Sequence, residues 1–125
     1  MENKKKFQEL VVWQKAKRLV KKVYELTDMF SPQGNYSLID QMRRAAISIP
    51  SNIAEGYERY STKEYLRFLS IANGSKAELT TQIEICRMLE LVPTADRNFI
   101  DEVLNLTDQV GKMITTIMKK LTPNP

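Results

Sequence analysis

Apolar residues recur at intervals of three and four along most of the chain, and no stretch alternates with the period of two that a half-buried strand requires. Turn-forming residues cluster at Ser31-Pro32-Gln33-Gly34-Asn35, between Gly56 and Ser61, and at Pro93-Thr94. These breaks divide the chain into four helical segments, predicted at about residues 9–29, 38–56, 62–91 and 95–121. In the first, Val12, Ala16, Leu19, Val23 and Leu26 form one stripe. With Trp13, Val20 and Tyr24 they fill half of a helical wheel, and Lys15, Lys17, Arg18, Lys21 and Lys22 fill the other half.

The second segment turns Leu38, Met42, Ala45, Ala46, Ile49 and Ile53 inward. Ser37-x-x-Asp40 resembles a capping box at its start, and Gly56 suits a left-handed position at its end. Pro50 lacks an N–H and crowds the carbonyl of Ala46, which predicts a kink near residues 47–49. The third segment opens with Ser61-x-x-Glu64, a full capping box, ahead of the stripe Phe68, Ala72, Ser75, Leu79, Ile83 and Cys86. Gly74 beside the small residues predicts a close helix approach there. The fourth takes Thr94 or Asp96 as its cap and carries Phe99, Val103, Leu106, Val110, Met113, Ile117 and Leu121 at coiled-coil spacing. Pro123 keeps the tail from Thr122 to Pro125 from extending it.

Four long helices with short connections predict an all-α, up-and-down antiparallel four-helix bundle forming a single domain over residues 1–125. The apolar arcs of the first and fourth segments are wider than a coiled-coil seam, which leaves surface for other subunits or for the bundle's own interior.

Composition narrows the chemistry. The chain has 125 residues, no histidine and a single cysteine, Cys86. The usual zinc sites, a Cys/His nucleophile pair and the Glu-x-x-His di-iron site of ferritin-like bundles therefore cannot be built, and we expect no metal and no cofactor. Carboxylate pairs such as Glu55 with Glu58, or Glu78 and Glu84, read as solvated helix surface. Serine nucleophiles lack a base to activate them. Gly74-Ser75 lies inside a helix with no strand before it and is no phosphate loop. The expected chain is not an enzyme. No run reaches the ~20 apolar residues of a membrane span, and the apolar run after Lys6 is too short for a secretory signal. The cytoplasm is the expected location, with no membrane partner.

Charge sharpens the picture. Nineteen Lys+Arg against fifteen Asp+Glu give a net +4, and the whole excess lies before residue 61, where eleven basic residues face seven acidic ones. Residues 1–22 hold eight basic residues, Lys4-Lys5-Lys6 among them, against Glu2 and Glu9. A helix lined on one side by Lys15, Lys17, Arg18, Lys21 and Lys22 suits a phosphate backbone, or simply keeps an exposed face soluble. Trp13 and Tyr24, at the edge of the apolar arc, suit packing better than base stacking, so any binding should be weakly sequence-selective, with RNA and DNA not distinguished. A polar ridge, Gln41, Arg44, Ser48, Asn52 and Glu55, borders the second stripe. It reads as a hydrogen-bond network fixing helix register or a subunit interface, or as a polar pocket anchored by Asn52 and Glu55.

The runs Gln41-Met42-Arg43-Arg44-Ala45-Ala46-Ile47-Ser48-Ile49-Pro50-Ser51-Asn52-Ile53-Ala54-Glu55-Gly56 and Phe68 to Leu79, with Val12-Trp13-Gln14-Lys15-Ala16, closely resemble the bacterial four-helix bundle proteins named after the intervening sequences of 23S ribosomal RNA genes. The resemblance covers nearly the whole chain, departing at Ser37, where the family pattern suggests glycine. It implies an up-and-down bundle assembled into a ring-like homopentamer. It also extends to the accessory proteins of diversity-generating retroelements, basic pentamers that bind nucleic acid and a reverse transcriptase. The expectation is a non-enzymatic oligomeric adaptor that binds RNA or other nucleic acid through the basic face of the first helix, helped by Arg43 or Arg44. The alternative is a protein-interaction scaffold with no nucleic-acid role.

Overall fold

The structure, a computed structural model, describes residues 4–31 and 35–123. The centre of the expected turn at residues 32–34 and the end of the expected tail, Asn124 and Pro125, lie outside the described residues, as do residues 1–3. Four helices follow one another: α1 (Val11–Asp28), α2 (Tyr36–Tyr57), α3 (Thr62–Met88) and α4 (Asn98–Leu121). No strand occurs among the described residues. Each helix packs on the next and α4 returns to α1, which closes a four-membered ring. Lys15 meets Gln109 and Lys22 meets Glu102, in opposite order along α1 and α4, so the two helices run antiparallel. The core is filled by the expected stripes, among them Leu19, Val23 and Leu26 of α1, Met42, Ile49 and Ile53 of α2, Leu79 and Ile83 of α3, and Val103, Val110 and Ile114 of α4.

The helix ends depart from the sequence expectation, each for a local reason. Residues 7–9 form a separate 3-10 turn, and extended Leu10 delays α1 to Val11. The α2 helix starts two residues early with Asn35 at its N-cap, so Ser37 lies inside the helix and the Ser37–Asp40 capping box does not form. Gly56 is interior helix, not a left-handed terminator. A Cβ there would lie 2.6 Å from Phe68 Cβ and 3.1 Å from Tyr65 Cδ1, so glycine is needed for the approach of α3. Gly74 itself has nothing within 4 Å of where its Cβ would sit, and the close approach expected beside it is made by Ser75, whose Oγ lies 2.7 Å from Ser48 Oγ of α2. The helix passes through Pro50 without interruption.

At the start of α3, the Glu64 N–H donates to Ser61 Oγ at 3.1 Å, as expected, while the Glu64 carboxylate turns to Arg67 instead of closing the box. The far end of α3 stops at Met88 because Glu90 takes a left-handed conformation (φ 53°). Glu90 N–H donates to the Arg87 carbonyl and Leu91 N–H to that of Cys86, the Schellman pair of bonds, here made without glycine. Neither Thr94 nor Asp96 caps α4. Both belong to a 3-10 turn, and α4 begins after Arg97 without a side-chain cap. The coiled-coil stripe of α4 is offset by one at both ends: Val103, Leu106 and Val110 are buried, but Ile100 is buried in place of half-buried Phe99 and Ile114 in place of half-buried Met113, with Ile117 and Leu121 also only half-buried.

Candidate nucleic-acid interface

The cationic half of α1 faces outward, as its wheel requires, because Ala16, Leu19 and Val23 hold the opposite half in the core. Packing divides this outer half into two flanks. Lys15, Arg18 and Lys22 lean toward α4 and line a groove of about 340 Å³ with Glu102, Asn105, Leu106 and Gln109. Lys22 Nζ pairs with Glu102 at 2.6 Å, and Lys15 Nζ donates to the neutral amide oxygen of Gln109 at 3.4 Å. Lys17 and Lys21 lean toward α2, where they border a larger groove of about 500 Å³ with Trp13, Val20, Ile47, Pro50, Ser51 and Ala54. Lys17, Arg18 and Lys21 are exposed, and among the described residues none of them lies within ion-pair distance of a carboxylate.

The other candidate cations are differently placed. Arg43 reaches from α2 to the end of α1, donating to Thr27 Oγ1 and Asp28 Oδ1, both at 2.9 Å, and stacking 4.3 Å from the centroid of Tyr24. It ties two helices together and its charge is compensated. Arg44 pairs with Asp40 one turn back at 2.9 Å. Lys4 donates to the Tyr57 carbonyl at 2.7 Å and lies over the Tyr57 ring, while the Tyr57 hydroxyl returns to the Lys5 carbonyl. The basic amino-terminal run is thereby anchored in part to the end of α2. Trp13 is half-buried, packed edge-on against Phe7, with Lys17 Nζ 5.0 Å from its ring centroid. It is not a free stacking platform.

The polar ridge of α2 separates in the same way. Ser48 Oγ meets Ser75 Oγ of α3 at 2.7 Å, and Asn52 Nδ2 donates to both Ser48 Oγ and the Ser48 carbonyl. Of these contacts, the one between Ser48 and Ser75 joins α2 to α3, and the two from Asn52 stay within α2. Gln41 Nε2 points back to Ser37 Oγ at 3.4 Å, and Glu55 pairs with Arg59 just past the end of α2. A polar groove of about 290 Å³ does lie here, lined by Gln41, Arg44, Ala45, Ser48, Ser75, Glu78 and Gln82. Asn52 and Glu55, the anchors expected for a pocket, are not part of it.

Sequence reasoning missed three features: the Ser75, Glu78 and Gln82 wall of that groove, the apolar groove between α1 and α2, and a second cationic cluster. In the last, Lys76, Lys112 and Lys119 line a groove between α3 and α4, with Lys112 paired to Asp108 at 3.1 Å. Wheel patterns give the face of one helix at a time and carry no signal for which faces meet. Cys86 is fully buried, and burial pushes its thiol up to about 11, far from a nucleophile. Among the described residues no helix is long and apolar enough to cross a membrane.

These features can be set beside known proteins. No curated protein matches the chain in sequence. Among solved structures, a protein of unknown function from the S23 ribosomal protein family of Bacteroides thetaiotaomicron shares the fold. Its TM-score is 0.79 at 22% identity, over 87% of this chain and 99% of that one. A family model described as "23S rRNA-intervening sequence protein" matches residues 8–116, which take in α1, α2, α3 and most of α4. By that match, the chain belongs to the 23S rRNA-intervening sequence protein family.

Proposed function

We propose that the chain is a non-enzymatic adaptor that binds RNA or other nucleic acid through the outward face of α1, as a homo-oligomer of the pentameric kind that its resemblance implies. The observation that carries this reading is the exposed trio Lys17, Arg18 and Lys21, uncompensated by any carboxylate among the described residues. With Lys15, whose polar contact among the described residues is a neutral amide, they form one patch. From Lys15 to Lys22 the helix rises about 10 Å, roughly three phosphate steps along one strand. Arg43 and Arg44, already paired, contribute little net charge. Base edges have no obvious reader here, so affinity should be electrostatic and weakly sequence-selective. An oligomer would repeat the patch and raise avidity with no new contact.

The test is retention of a generic RNA by the full chain across a salt series. Three phosphate contacts per protomer should give a slope of log affinity on log salt of about −2 to −3 for each protomer engaged. The triple variant Lys17→Glu, Arg18→Glu, Lys21→Glu should weaken binding by more than about tenfold and flatten that slope. Unchanged retention would remove the nucleic-acid reading and leave the scaffold alternative. Light scattering of the same preparation reads the oligomer: a monomer would remove that part of the proposal.

A further inference from the structure

The groove between α1 and α2 has a composition that nucleic-acid binding does not use. Its walls are Trp13 and Val20 on one side and Ile47, Pro50 and Ala54 on the other, and Ile47 is 43% exposed. Along α1 the lining residues 13, 17, 20 and 21, and along α2 the residues 47, 50, 51 and 54, follow helical spacing. Each wall is therefore about two turns, or 10 to 12 Å, long. The Ser51 hydroxyl is already bonded to the Ile47 carbonyl at 2.8 Å, so the floor offers a visiting base little to bond. On the α1 lip stand Lys17 and Lys21, one turn apart. They are the α1 cations turned away from α4, where Glu102 compensates Lys22.

From this geometry we infer a docking site for an acidic amphipathic helix of a partner protein. Two helical walls have no free backbone ladder to offer a strand, so a helix laid along the groove is the occupant that keeps its own backbone bonded. Its apolar residues at i, i+3 or i+4, and i+7 enter between Val20 and Ile47. Its carboxylates, one turn apart, meet Lys17 and Lys21. A second copy of this chain does not supply such a helix. No described helix carries three exposed large apolar residues, and the half-buried Met113, Ile117 and Leu121 of α4 stand beside Lys112, Lys119 and Lys120 rather than carboxylates. The site adjoins the proposed nucleic-acid patch through Lys17 and Lys21 but is defined by its apolar floor.

Selection of a displayed library of helical peptides on the immobilised full chain tests this. Enriched peptides should carry Leu, Ile or Phe at i, i+4 and i+7, flanked by Glu or Asp at one-turn spacing. The best peptide should bind at least tenfold more weakly to Ile47→Glu, at an exposed position, and to Ala54→Trp, which fills the groove. The double variant Lys17→Glu, Lys21→Glu should lose that peptide and bind the version with Lys in place of its acidic residues. Ala54→Trp should leave RNA retention unchanged, whereas Arg18→Glu should weaken RNA and spare the peptide. The two proposals therefore fail separately. No enrichment, enrichment of neutral or basic peptides, or binding that survives both Ile47→Glu and Ala54→Trp would overturn the inference.

Discussion

The seam between α2 and α3 and the seam between α1 and α4 both join antiparallel helices, and they are closed by opposite means. Between α2 and α3 the contacts are made by the smallest groups: Gly56 lies under Phe68 and Tyr65, and two serine hydroxyls meet at 2.7 Å. Between α1 and α4 the polar contacts are made by the tips of long chains, Lys22 on Glu102 and Lys15 on Gln109. Small groups bring backbones together and leave no room for change. Long charged chains arch over the core, keep their heads in water and leave a groove. One seam is closed by the approach of two backbones, while the other leaves a groove that carries Lys15 and Arg18 of the proposed patch.

The largest expected effect breaks the tight seam. Gly56→Ala places a methyl group 2.6 Å from Phe68 Cβ, an atom next to the α3 backbone that cannot swing aside. It should lower stability by about 2 kcal/mol, read as a shift in the urea midpoint at unchanged slope. A neutral result would mean that the seam is looser than its geometry. Ser75→Val, in the same seam, removes the hydroxyl facing Ser48 and adds volume at a buried position. Asn52 continues to serve Ser48, so the expected loss is about 1 kcal/mol.

On the open seam, Glu102→Gln removes an exposed ion-pair partner. Stability should fall by less than about 1 kcal/mol, and less still in high salt. RNA retention should strengthen, because Lys22 then adds its charge to the patch; weaker retention would contradict the proposed interface. The smallest effect sharpens the contrast within one residue type. At Gly111 an added Cβ would meet Lys76 Cε at 2.7 Å, nearly the distance found at Gly56, but that atom is near the tip of a flexible chain. Gly111→Ala should change the thermal midpoint little, since the helix propensity of Ala offsets, by up to about 1 kcal/mol, the cost of moving the lysine.

Much of the fold was legible in the sequence. Val12, Ala16, Leu19, Val23 and Leu26 were predicted as one stripe and all are buried, and Ser61 caps α3 as its motif requires. Less of the site was legible. The five basic residues of α1 face outward, but their division into a compensated flank and a free one depends on Glu102, eighty residues after Lys22. Gly56, expected as a left-handed end of α2, is helical, and a left-handed residue occurs instead at Glu90, after α3. The Leu91 carbonyl on that connection also accepts from Ser31 N–H at 3.0 Å, tying it to the end of α1.

By itself, the sequence determined four amphipathic helices, the residues that each turns inward and the half of α1 that must meet water. Those follow from a period of 3.6 residues and from the cost of exposing apolar surface, and both act within one segment. Only the tertiary structure decided which cations keep their charge uncompensated, where two backbones touch and where a groove is left. Those depend on the rotation of each helix against its neighbours, which is settled by packing residues far apart in the chain.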